Sequence, residues 1–134
     1  MSLALARSVS VRAEVPLAPL DFIYSVYSSA LDREPSEDEI LSLAARYNEA
    51  GSCRVILSAV LISSDAKSIQ DQLGRADFVE YLYNSILQRP SDPAGKNAWI
   101  GFLAETRNRQ SAIKAFIASE EAGRLCSSGY GLKP

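Results

Sequence analysis

From residue 22 onward the apolar positions recur with the period of an α-helix. Phe22, Ile23, Val26, Tyr27, Ala30 and Leu31 fall on one stripe, and Phe78, Val79, Leu82, Tyr83, Ile86 and Leu87 form a second of the same shape. Each stripe predicts an amphipathic helix facing a core, with Asp21 and Asp77 as N-caps or first-turn acids. A second helix opens at Ser36 with Glu39 at capping-box spacing, and its counterpart opens at Asp92 with Pro93 at the first helical position. A third begins near Ser52 after Gly51, and another near Asn108, where Val55, Ile56, Ala59, Val60 and Ile62 correspond to Ser111, Ala112, Ala115, Phe116 and Ala118. The pattern predicts an all-α protein with six main helices.

The two stripes belong to a longer correspondence. Laying each residue on the one 56 positions later, without a gap, pairs Asp21 with Asp77, Phe22 with Phe78, Tyr27 with Tyr83, Ser29 with Ser85, Leu31 with Leu87 and Arg33 with Arg89. The register continues through Glu49 with Glu105, Ala59 with Ala115, Ser63 with Ser119 and Ala66 with Ala122. Composition alone would give about three such identities. The expectation is two tandem three-helix repeats, residues 21–66 and 77–122, packed as one compact helical domain. Residues 67–76 form a connector with room for an extra turn.

The ends differ from this body. Val9, Val11, Ala13 and Val15 alternate with Ser8, Ser10, Arg12 and Glu14, a strand-like period of two, and Pro16 and Pro19 are expected to forbid a continuous helix. Residues 1–20 therefore read as an extended N-terminal arm, with Val9, Val11 and Val15 as partner-binding positions; a mobile tail is the simpler alternative. Residues 123–134, with Cys126-Ser127-Ser128-Gly129-Tyr130-Gly131, have linker composition and read as a flexible C-terminal tail.

Composition narrows the chemistry. Histidine is absent from the 134 residues, which removes His-based nucleophile activation and His-containing zinc sites. Fourteen basic against sixteen acidic residues give a net charge of −2, with no basic run of the kind that follows a phosphate backbone, so nucleic acid is not an expected partner. The acidic surplus lies in residues 21–66. Cys53 and Cys126 stand in no metal or redox spacing, and two free thiols is the simpler reading. No run is apolar for long enough to cross a bilayer, and the N-terminus lacks the pattern of a secretory signal, so a soluble protein without membrane insertion is expected.

The second half carries a recognisable motif. Asp77-Phe78-Val79-Glu80-Tyr81-Leu82-Tyr83, then Ile86-Leu87-Gln88-Arg89, Asp92 to Gly95, Trp99 and Phe116-Ile117-Ala118-Ser119-Glu120-Glu121, resembles the bacterial domain of unknown function 4214 family. Gln88 stands where the family has Gly. The first half departs further, with Glu39 in the place of Gly95 and Leu43 in that of Trp99. The likeness spans roughly residues 20–122, with a more distant likeness to the linker domains of phycobilisomes. It implies a non-catalytic accessory module, in proteins often associated with envelopes, secretion or saccharide chemistry.

Individual side chains add little catalytic promise. Arg33 and Arg89 close the two stripe helices, where a guanidinium suits the negative helix end and can fork onto a carboxylate such as Glu37 or Asp92. Asp32, Glu34, Glu37, Asp38 and Glu39 lack the glycine-centred order of a calcium loop, and their spacing selects no glycosidase pair. Trp99, Tyr27 and Tyr83 fall at core positions. Tyr24 and Tyr81 fall beside the stripes and are the candidates for stacking on a saccharide. The serines have no base partner. These readings favour a protein that is not an enzyme, without cofactor: an interaction or structural adaptor module whose partner is another protein or assembly subunit. The alternative is a saccharide-binding module, with polysaccharide as ligand, on a cell or particle surface.

Overall fold

Leu17–Leu31 forms the first helix, α1, in the computed structural model of the chain, which describes residues 17–133. Helix α1 starts before residue 21, although Pro19 lies inside it. The first turn of a helix has no intrahelical use for its N–H groups, so the proline removes nothing there. The arm expected over residues 1–20 is thus shortened, and Val9, Val11 and Val15 lie outside the described residues. Asp21 sits inside α1 rather than at its cap.

Seven more α-helices follow: α2 (Glu37–Ala50), α3 (Arg54–Leu61), α4 (Ser64–Gln70), α5 (Arg75–Leu82), α6 (Pro93–Thr106), α7 (Arg109–Ala118) and α8 (Glu120–Arg124). Two π-helical turns extend α5 over Tyr83–Leu87 and α8 over Leu125–Gly129. Among the described residues there is no strand, and the fold is all-helical. The expected caps form at three places. Ser36 and Glu39 make a reciprocal capping box, Asp92 accepts from the Gly95 N–H with Pro93 in the first helical turn, and Asn108 accepts from the Ser111 N–H.

The expected triplets differ from what is seen, because a fourth short helix follows the third in each half. Ser63 and Ser119 cause the break. Each has an extended backbone (ψ 159° and 154°). Each hydroxyl donates to the carbonyl three residues back, Val60 or Phe116, and accepts from the N–H three residues on, Ala66 or Ala122. One side chain thereby ends one helix and starts the next.

All twelve stripe residues are buried in one core together with Ile56, Leu57, Val60, Leu61, Ile113 and Phe116. The two halves meet where α1 crosses the π-turn that ends α5. Ser85, fully buried, donates its hydroxyl to the Ser29 carbonyl at 3.5 Å, and the Tyr81 hydroxyl donates to the Ala30 carbonyl at 3.0 Å. Arg54 at the start of α3 reaches across to the Ile117 and Ser119 carbonyls, at 3.0 and 3.1 Å, and so fastens α3 to the end of α7.

Two end-of-chain expectations need correction. Cys53 and Cys126 are not free thiols; they form a disulfide across 73 residues of sequence, with Cα atoms 6.4 Å apart and both residues fully buried. Nor are residues 123–133 a loose tail. Leu132 is buried, the Cys53 N–H donates to the Lys133 carbonyl at 2.8 Å, and the Tyr130 ring meets Phe22 edge-on at 5.0 Å. The Tyr130 hydroxyl donates to Gln88 Oε1 at 2.7 Å, which engages a residue held at φ 54°, a backbone that favours glycine. Linker-like composition hid two apolar anchors and a cross-link.

A thiol titration checks the cross-link: no reactive thiol in the native protein, none on unfolding without reductant, and two after unfolding with reductant. Closing a loop of this length stabilises by roughly 4 kcal/mol in the chain-entropy account. The double variant Cys53→Ser, Cys126→Ser is expected to lose a comparable amount in urea unfolding.

Candidate functional site

Arg33 and Arg89, placed by the sequence at the ends of the stripe helices, each form a structural clasp. Arg33 leaves the C-terminal end of α1, lies over the Tyr27 ring at 5.1 Å, and forks onto both Glu39 oxygens at 2.9 Å. Its Nη2 also donates to Asp65 at 3.0 Å on α4. Arg89 lies over the Tyr83 ring at 5.0 Å and forks onto Glu121 on α8, with Asp92 at 3.6 Å. Arg33 thus takes Glu39 rather than Glu37. Gly95 explains part of the Asp-x-x-Gly turn, since a Cβ there would run into the Tyr83 hydroxyl and the Asp92 carboxylate.

The clasps set the local electrostatics. The hydrogen bond from Arg33, then that from the Ser36 N–H, holds the Glu39 carboxyl down to about 2. Glu80 is also held at about 2, first by the Ser91 hydroxyl, then by the Ser91 N–H and Lys96. Arg89 lowers Glu121, and the Gly95 N–H lowers Asp92. Burial raises the Tyr27 and Tyr83 hydroxyls, with Glu39 and Asp92 respectively adding to the effect. These groups hold one another and leave no free acid–base pair at the clasps. Among the described residues no group of three or more His, Cys, Asp or Glu is placed to hold a metal ion.

The saccharide candidates separate. Tyr24 is 41% exposed on α1. Tyr81 is half-buried, with its ring stacked on Phe78 at 6.3 Å and its hydroxyl committed to Ala30, so it serves the junction between halves rather than an open platform. Trp99 packs against Phe116 at 4.6 Å and Phe102 at 5.4 Å.

An open surface lies instead between α2 and α3. Arg46, Glu49 and Ala50 of α2 face Val55, Ser58 and Ala59 of α3 and Ile62 just beyond it, around a groove of about 520 Å³. A second hollow of about 280 Å³ shares Arg46 and Ala59 and continues toward Tyr27, Leu43 and Asp38. The helical spacing places Val55 and Ile62 with the core stripe of α3, but the core takes Ile56, Leu57, Val60 and Leu61, and Ile62 is left 51% exposed. Arg46 has no carboxylate partner among the described residues.

The family described as a domain of unknown function (DUF4214) matches residues 57–126, more than half of the chain. The matched span starts within α3 and ends at Cys126, so it is offset from the units 21–66 and 77–122 expected from the internal register. No curated protein and no solved structure matches the chain at a significant level. Among the described residues no helix is long and apolar enough to cross a membrane.

The clasps set a pH response. Each carboxyl lies below its unfolded value in the native state, so its contribution is complete above that value and is lost as pH falls through the native one. The thermal midpoint is expected to hold at neutral pH and to fall progressively from about pH 4.5 toward pH 2. Calorimetry across that range checks it. Glu39→Gln should flatten the slope, and at pH 7 should cost about 1 kcal/mol or less, as befits a partly solvated pair.

Proposed function

We propose that this chain, which belongs to the DUF4214 family, is a non-catalytic interaction module that works as a structural adaptor in an assembly containing further copies of itself. The observation that carries the reading is the α2/α3 groove, where Val55, Ala59 and half-exposed Ile62 form an apolar floor between Arg46 and Glu49. Its occupant is the segment 8–15 of a second copy. That segment alternates apolar with polar residues, so in extended form Val9, Val11 and Val15 share the one face that meets the floor.

The two halves are read as diverged copies of one unit. Support comes from contacts 56 positions apart: Arg33 over Tyr27 and Arg89 over Tyr83, the dual caps Ser63 and Ser119, and the helix ends Asp32 and Gln88 at φ 53° and 54°. The buried disulfide supports a place in an oxidising compartment, as expected of a surface or particle component. The saccharide reading draws less support, because Tyr81 is committed to the core and Tyr24 stands without it.

Sedimentation of the full chain tests the proposal. A concentration-dependent dimer is expected, and Ile62→Asp or Val11→Asp should each weaken it by at least roughly tenfold, with the thermal midpoint little changed. A species that stays monomeric at every concentration, or a dimer indifferent to both substitutions, would contradict it.

A further inference from the structure

Beyond the groove, a second surface feature lies wholly in the second half. Arg75 at the start of α5, Arg107 just past α6 and Arg109 at the start of α7 line a cleft of about 150 Å³ with Leu103 at its base. No carboxylate lies within ion-pair distance of any of the three among the described residues. That stands out in a chain with net charge −2, where Arg33 and Arg89 each hold two acids. Three arginines lining one cleft without a counter-charge give it a positive potential that an anion relieves.

The backbone adds an independent observation. Arg107 ends α6 at φ 54°, the left-handed region that strains an L residue, whereas the residue 56 positions earlier, Gly51, ends α2 at φ 68° without strain. Arginine therefore stands where the local backbone calls for glycine, and its cleft neighbours Arg75 and Arg109 likewise correspond to uncharged residues, Pro19 and Cys53. Strain held at an exposed position points to a use for the side chain.

The roles divide. Arg109 is fixed in place: it donates to the Gln70 and Leu73 carbonyls at 2.7 and 2.9 Å and lies over the Phe78 ring at 4.6 Å. Arg75 and Arg107 are exposed and unpaired, free to fork onto a ligand.

We infer that this cleft binds a tetrahedral oxyanion, a phosphate or sulfate group, gripped by Arg75 and Arg107 over the fixed charge of Arg109. Its volume suits one such group with the rest of the ligand outside. The source is a free anion or a phosphate monoester, and the test distinguishes them.

The experiment follows backbone amide resonances of the full chain during titration with inorganic phosphate, inorganic sulfate, glucose 6-phosphate and acetate, at ionic strength held constant with chloride. Saturable shifts at residues 74–76 and 107–109 are expected for the tetrahedral anions, weaker for acetate. Tighter binding of glucose 6-phosphate than of phosphate assigns the site to an ester, and the reverse order to the free anion. Arg75→Gln and Arg107→Gln should each weaken binding about tenfold, whereas Lys114→Gln, at an exposed cation outside the cleft, leaves it unchanged. Arg107→Gly separates function from structure: it relieves the backbone, so its melting temperature should equal or exceed that of the parent while the anion response is lost. Shifts that fail to saturate, shifts that follow chloride equally well, or full affinity in Arg107→Gly would each overturn the inference.

Discussion

Everything in this molecule hangs on the crossing of α1 with the π-turn at the end of α5. Two apolar stripes of the same shape meet there, and small residues let the backbones come close: Ala30 and Ser29 on one side, buried Ser85 on the other. The crossing fixes where Tyr27 and Tyr83 present their ring faces, and those rings in turn place Arg33 and Arg89. Each arginine then reaches the carboxylate of the short helix after a serine break, Asp65 or Glu121, and so ties the last element of each half to the first. Burial of the stripes supplies the drive, since each large side chain contributes about 2 kcal/mol. The clasps add geometry rather than much stability, because their charges remain partly solvated.

Much of this was legible in the sequence for reasons of period and capping. A stripe such as Phe22-Ile23-Val26-Tyr27-Ala30-Leu31 admits no strand, and Ser36, Asp92 and Asn108 have local bonds that form whatever the surroundings. What escaped was tertiary. Ser63 and Ser119 stood out only as a matched pair, and that one hydroxyl both ends a helix and starts the next is seen only in the folded chain. Pro19 looked like a barrier although it falls in a turn that needs no N–H. Cys53 and Cys126 are far apart in sequence, and only the folded chain brings them together. Tyr81, a surface candidate by its position beside the stripe, is drawn into the junction because neighbouring helices, not its own, decide which flanking side chains are covered.

The two halves of the chain differ in what they leave uncovered. In the first, Glu39 occupies the place of Gly95 and completes both a capping box and a clasp, and the surface beside it opens into an apolar groove. In the second, Trp99 packs against Phe116 and Phe102. Charge instead collects at the far end, around Arg107. The first half thus carries an apolar surface feature and the second a basic one.

The central claim is that the segment 8–15 of one copy lies in the α2/α3 groove of the next. Its most direct test is an isotope-filtered NOE measurement on a mixed sample, half of the chains carrying labelled valine and isoleucine methyls and half unlabelled. The account predicts intermolecular contacts from the valine methyls of positions 9, 11 and 15 to Ile62 and Val55. Contacts confined to a single chain, or valines 9–15 in contact with neither residue while the dimer is present, would contradict it.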